Sequence, residues 1–240
     1  MNQANTPTPT AVNWLGYIAI TLLLTLPVSV MMVRSGAWQQ GLMLYALSCL
    51  GAALLLSLAI LAMLLPRFAP WRKTIATRAL FTLPGTALLL VLLGGRGDIP
   101  PIHDITTDLQ DPPIFTIAPQ QRGEHSNGLD INPDTIAKQR EGYPDVQSTL
   151  TDMDIDTAFD RAIAVATAMN WDIYHQDRNA GVIEAVETTA IMGFKDDIVI
   201  RLRTNADGTL IDLRSVSRVG VSDLGANAKR IRAFQQQIQP

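Results

Sequence analysis

With 240 residues, a formal charge of −3 and 48% hydrophobic side chains, the chain has room for one group of membrane segments and one modest soluble domain. The acids are confined to its second part: residues 1–97 carry six bases and no Asp or Glu, while residues 98–240 hold 22 acids against 13 bases. That acidic excess argues against a nucleic acid partner, and the single Cys49, inside an apolar run, leaves no disulfide or thiolate metal site within one chain.

Three apolar runs without ionisable side chains open the chain: Val12–Val33, Leu42–Leu65 and about Ala79–Gly95. At about 1.5 Å per residue the first two cross a hydrocarbon core of about 30 Å; the third is short and contains Pro84. Pro27 and Pro84 predict kinks, which neighbouring helices can accommodate. A cleavable signal is the rival reading of the first run, but it lacks a basic leader and is too long. The run-two to run-three loop, "PRFAPWRKTIATR", holds Arg67, Arg72, Lys73 and Arg78, against Arg34 and Arg96 on the other side. Cytoplasmic loops collect bases, so the N-terminus is expected inside and residues 98–240 outside, in the periplasm of a double-membraned bacterium. Trp14 and Trp71 at run ends suit the headgroup layer, and Ser48, Ala52, Ala53 and Ser57 offer a small-residue stripe for helix packing. Charge-free spans carry no ion pathway, so residues 1–97 read as a transmembrane anchor.

Residues 98–153 are punctuated by Pro100, Pro101, Pro112, Pro113, Pro119, Pro133 and Pro144, yet carry Ile102, Ile105, Ile114, Phe115 and Ile117. A flexible linker has no need of those apolar residues, so an extended arm docked on the following domain is expected. Within it, "NPDTIAKQREG" predicts a short helix with Asn132 as N-cap and Gly142 at its end. Residues 154–240 then read as a domain. Phe159, Ala162, Ala166 and Met169 recur at helical spacing behind Asp154 and Asp156, and four strand patterns follow: "WDIYH", "GVIEAVETT", "DDIVIRLRT" and "TLIDLRSVSR". Alternation puts Ile198, Ile200, Leu202, Ile211, Leu213, Ser215 and Ser217 on a buried face. It leaves Asp197, Arg201, Arg203, Asp212, Arg214 and Arg218 on the other. Leu224, Ala228, Ile231 and Ile238 mark a last helix. The expected fold is α+β: a two-layer domain with an antiparallel sheet of about four strands and two helices on one face.

The stretch "RSVSRVGVSDLGANAKRIRAF" concentrates the candidate chemistry. Ser222 reads as the N-cap of the last helix, with Asp223 in its first turn. Arg214 and Arg218 either pair with Asp197 and Asp212 or, beside that helix start, form a site for a phosphate or carboxylate. "GVSDLG" departs from a nucleophile elbow because its second glycine comes one residue late. "IHDITTDLQDPP" offers His103, Asp104, Asp108 and Asp111, but an extended segment does not converge them on a metal, and no cofactor is implied.

"PPIHDITTDLQDPPIF", "GYP", "GFKDDIVIRL" and "IDLRSVSRVGVSDLGANAKRIRAF" resemble the envelope and plastid-lumen proteins grouped as domain of unknown function 1499. The resemblance covers about residues 98–236, and the three preceding spans resemble many bacterial members. It implies no established enzymatic activity. The matching positions are Asp104, Thr106, Thr107, Asp108, Arg214, Ser215, Ser217, Arg218, Gly220, Asp223, Asn227 and Arg230. Of these, Asp104, Thr106, Thr107, Asp108, Arg214, Arg218, Asn227 and Arg230, with Ser222, form the candidate ligand-binding set.

The leading expectation is a non-enzymatic inner-membrane protein whose periplasmic domain binds a protein partner or envelope component. One alternative is a periplasmic lipid or anionic-ligand binding domain; an enclosed apolar ligand would have only Phe159, Met169, Trp171, Tyr174, Met192, Phe194 and Phe234 as lining, and an anion would have Arg214 and Arg218. The other is a hydrolase using His103, Asp104 and Asp108, or Ser215 and Ser217.

Overall fold

The computed structural model describes residues 7–94 and 99–239, in two compact units, Met1–Gly97 and Asp98–Pro240. Gly95, the expected end of the third apolar run, and Arg96 lie outside the described residues.

The first unit contains three helices long and apolar enough to cross a bilayer. They are α1 (Thr10–Arg34), α2 (Trp38–Leu64) and a third rod, Pro66–Gly94. That rod is built from a 3-10 turn over Pro66–Trp71, α3 (Arg72–Ala79), a second 3-10 turn over Leu80–Thr82, and α4 (Leu83–Gly94). The basic segment expected as a loop is therefore largely helical. Its reason is local packing: Ile75 and Ala79 of α3 are buried with Val12 of α1 and Ala59 of α2. Arg78 lies across Gly16 and donates from Nη2 to Asn13 Oδ1 at 2.8 Å. From the small-residue stripe, Ser48 and Ala52 are buried, and the Ser48 and Thr25 hydroxyls are 2.7 Å apart between α2 and α1. Ser57 is exposed.

The second unit is mixed α+β. In chain order it comprises β1 (Asp104–Thr106), α5 (Ala118–Gln121), α6 (Pro133–Gly142), β2 (Thr149–Thr151) and α7 (Ile155–Ala168). Then come β3 (Asp172–Asp177), β4 (Val182–Thr188), β5 (Lys195–Asn205), β6 (Gly208–Ser217) and α8 (Ala226–Ile238). Asn132 caps α6 by accepting from the Asp134 and Thr135 N–H groups, and Asp154 caps α7 in the same way through Asp156 and Thr157.

The four expected strands are β3 to β6, an antiparallel meander. Asn205 pairs with Gly208 around a two-residue turn. Gly208 adopts φ +131°, and a Cβ there would stand 2.1 Å from the Thr151 carbonyl, so only glycine fits. The sheet has six strands rather than about four, because β1 and β2 lie end to end along the free edge of β6. Ile105 faces Ser215, and Leu150 faces Leu210. Both are three-residue strands, too short to show alternation in sequence.

Helices α7 and α8 cover one face, as the pattern implies. Phe159, Ala162 and Ala166 of α7 and Ala228, Ile231 and Phe234 of α8 bury Ile183, Ile198, Ile200, Ile211 and Leu213. Trp171 stacks on Phe234 with ring centroids 5.5 Å apart. The opposite face is also covered: Phe115 and Ala118 pack with Val199 and Val216, flanked by Leu129, Tyr174 and Val182. The charged side of the sheet is thus roofed by the proline-rich arm.

Candidate functional site

Alternation along β4, β5 and β6 puts Glu184, Asp197, Arg201, Arg203, Asp212 and Arg214 on the face beneath the arm. Glu184, Asp197 and Asp212 are fully buried there. Buried charges must be paired and hydrogen-bonded, and the arm supplies the partners.

Arg214 is 1% exposed. It donates from Nε to Asp104 Oδ1 at 3.0 Å and from Nη2 to Asp104 Oδ2 at 2.7 Å. Its remaining bonds reach the Leu129 carbonyl at 2.8 Å and the Pro113 carbonyl at 3.4 Å, and its guanidinium lies 5.5 Å from the centre of the Phe115 ring. Arg218 forks onto Asp197 at 3.0 and 2.7 Å and donates to the Gln121 carbonyl. A second guanidinium, Arg122, approaches Asp197 at 3.2 Å. Burial, with Arg218 and Arg214 nearby, presses Arg122 below the ordinary arginine range against the pull of Asp197.

Asp212 collects Arg201 and Arg203 at 2.9 and 2.7 Å, and Ser148 donates to its other oxygen at 2.5 Å. The same two guanidiniums hold Asp108 at 3.2 and 3.1 Å, and Arg201 also holds Asp111 at 2.9 Å. Burial works against the Asp108 carboxylate. The backbone N–H groups of Asp111 and Gln110, with Arg203 and Arg201, outweigh it and hold the group below the usual carboxylate range.

Glu184 provides the tightest grip on the arm. Its two oxygens accept from the Thr116 N–H and hydroxyl, each at 2.6 Å, and from the N–H groups of Ile117 and Ala118 at 3.0 and 2.8 Å. These N–H groups open α5 and converge on one carboxylate as an anion nest. Tyr174 adds its hydroxyl at 3.4 Å, and burial, together with Asp197 and Glu184, pushes that phenol far up.

The helix side of the sheet holds the other candidates. Ser215 donates to Asn227 Oδ1 at 2.7 Å and accepts from Arg230 at 3.0 Å, while Ser217 accepts from Asn227 Nδ2 at 3.1 Å. Arg230 also pairs with Asp196 at 2.6 Å and with Glu187. Asn227 reaches the His103 carbonyl at 2.9 Å. These groups join α8 to the end of the sheet.

The chain thus brings together Asp104 with Arg214, and Ser215 with Asn227 and Arg230, on opposite faces of the sheet. Thr107 accepts from Leu213 N–H through its hydroxyl at 2.8 Å, and Thr106 exchanges backbone bonds with the buried Gln139 amide. Ser222 is not the N-cap of the last helix. The helix begins at Ala226, and Asp223 takes the capping duty by accepting from Gly225 and Asn227 N–H at 2.8 Å each. Ser222 only accepts from Leu224 N–H at 3.2 Å, and Leu224, expected in the apolar stripe, is exposed. Among the described residues, no three His, Cys, Asp or Glu side chains are placed to hold a metal ion.

Sequence reasoning missed Glu184, Arg122 and Gln139. Glu184 was visible as an acid on a strand face that proved covered; no local pattern singles out Arg122 or Gln139.

Two concave surfaces border the arm. One, of about 430 Å³, is lined by His103, Asp104, Asp130, Asn132 and Thr135. The other, of about 510 Å³, lies between Thr107–Gln110 and Arg140, Tyr143, Pro144 and Val146–Ser148.

These features define a protein with three membrane-spanning candidates and an α+β unit whose charged sheet face is closed by its own N-terminal arm. The chain belongs to the family described as Protein of unknown function (DUF1499), which it matches over residues 104–238. No curated protein matches the chain.

Proposed function

We propose that this protein is a membrane-anchored, non-enzymatic binding module whose α+β unit engages an envelope component on the periplasmic side. The observation that carries this reading is the occupation of the reactive groups. Ser215 and Ser217 bond to Asn227 inside the sheet–helix interface, and Arg214 and Arg218 each fork onto a carboxylate. Side chains so engaged position the arm and α8; they are not presented to a substrate. The periplasmic side is supported by Arg67, Arg72, Lys73 and Arg78 clustering toward the start of the third rod, as the positive-inside rule requires.

The binding surface in this reading is the 510 Å³ cleft. Gln110, Arg140 and Gln147 stand exposed on its rim, and Tyr143 and Val146 are buried in its wall. Mixed apolar floor and polar rim suit a peptide or glycan segment. The test is a photo-crosslinking side chain at Gln110 or Gln147 in the full-length protein in native membranes. A discrete adduct that is lost with Arg140→Glu is expected. No adduct at either position, with adducts from a probe at Asp207 in the β5–β6 turn, would overturn the assignment of the cleft.

A further inference from the structure

The loop Gly220–Gly225, between β6 and α8, exposes two aliphatic side chains: Val221 is 81% and Leu224 56% accessible. Leu224 also has φ +53°, in the left-handed region that a branched aliphatic residue rarely enters. Neither the exposure nor the backbone conformation benefits folding of this unit alone.

The loop is nevertheless firmly built. Asn127 Nδ2 donates to the Gly220 and Ser217 carbonyls at 2.8 and 3.0 Å. Asp223 donates its N–H to the Ile102 carbonyl at 3.0 Å, and its carboxylate accepts from Gly225 and Asn227. The apolar pair is therefore held outward by design of the loop rather than by looseness. Lys229 is exposed one turn into α8, and its N–H bonds the Gly225 carbonyl.

What covers this surface follows from the covalent chain. Ile99 stands against the loop: a Cβ on Gly225 would be 3.6 Å from Ile99 Cδ1. Gly94, the last residue of the third membrane-spanning candidate, is only five residues earlier in the sequence. At about 3.6 Å per residue the chain can carry Ile99 no more than about 18 Å from the end of that span, whatever path it takes. Two exposed aliphatic side chains on a loop that Ile99 stands against, followed by the exposed Lys229 in α8, match the composition of segments that seat in the interfacial layer of a bilayer.

We propose that the Gly220–Gly225 loop rests on the bilayer surface, with Val221 and Leu224 as the side chains that enter lipid. The inference is independent of what the cleft binds and requires only that the three helices span a membrane.

The test uses full-length protein in phosphatidylcholine–phosphatidylglycerol nanodiscs. Val221→Cys, Leu224→Cys and, as a matched exposed apolar position on the arm, Ile114→Cys are made in a Cys49→Ala background and labelled with an environment-sensitive fluorophore. Probes at 221 and 224 are expected to emit to the blue of the probe at 114. Spin-labelled lipid should quench them at least about twofold more strongly, as side chains buried ~5–10 Å into the interface would be. Water-like emission, or quenching equal to that at 114, overturns the proposal. A blue shift without lipid quenching also overturns it and assigns the loop to a protein contact.

Discussion

Arg214 and Asp104 form a two-pronged ion pair between strands that the sequence places 110 residues apart, with bonds of 3.0 and 2.7 Å and a guanidinium almost wholly removed from water. The pair sits where β1 meets β6, and the same guanidinium holds the arm at Pro113 and Leu129. Arg214→Gln leaves the half-buried Asp104 carboxylate without its partner, and the loss is expected to fall at the lower end of the range for broken buried pairs, about 3 kcal/mol. Arg214→Lys keeps the charge but cannot fork, so it should recover only part of that loss. Urea unfolding of the full-length protein in detergent measures both; full recovery by lysine would refute the bidentate role.

Glu184 makes a parallel prediction at the next anchor. Glu184→Gln replaces a carboxylate facing several N–H donors with an amide whose own NH2 group confronts them. A loss of about 1.5–3 kcal/mol is expected, the range for hydrogen bonds to a charged group. Amide exchange at Phe115–Ala118 should accelerate while α7 stays protected. Unchanged exchange there would show that the arm is held without Glu184.

Acid should loosen the arm. Burial opposes ionisation of Asp108, but N–H groups and Arg203 and Arg201 leave its folded pKa below the unfolded value. A depressed carboxylate contributes stability that is present above the unfolded pKa of about 3.9 and is lost as pH falls through the folded one. Asp145, hydrogen-bonded by Arg232, acts in the same direction. Asp223 is opposite: burial raises it, so its contribution is present below the unfolded pKa and lost as pH rises through the folded one. Thermal unfolding followed from pH 7 to pH 3 should therefore show a decline below about pH 4 that Asp108→Asn diminishes. The same acid decline in that variant would dissociate Asp108 from it.

Orientation is open to a direct measurement. An alkaline phosphatase joined after the last residue is expected to be active, and Arg67→Gln with Lys73→Gln to reduce that activity by weakening the cytoplasmic retention of the basic segment. Arg78 is left intact because it bonds Asn13. An inactive fusion accompanied by a bright cytoplasmic fluorescent fusion would reverse the periplasmic assignment.

The meander, both capped helices and the two faces of β5 and β6 were legible because each is encoded locally, by alternation or by a cap two to three residues from its donors. The charges expected on the second face are indeed there, and Arg218 meets the expected Asp197. Asp212 instead serves Arg201 and Arg203, because Asp104 competes for Arg214 from a strand only three residues long. Ser222 has the residue type of a cap, but α8 starts later because Asp223 reaches two N–H groups across Gly225. Hydropathy makes the basic segment of the third rod look like a loop because it registers the bases on its surface and not Ile75 and Ala79 against the neighbouring helices.

The end-to-end seating of β1 and β2 along β6 also sets an order of events during synthesis. The arm leaves the ribosome long before the strand that receives it, so Asp104, Ile105 and Leu150 must wait for residues 210–216. Contacts of such separation are late and slow to form. Until β6 arrives, the nascent chain carries Phe115 and the unpaired carboxylate of Asp104 in water, which makes this interval the point at which a chaperone or protease would meet the chain. A ribosome stalled before β6 should therefore display an arm that is fully sensitive to proteolysis, and one stalled beyond α8 an arm that resists it.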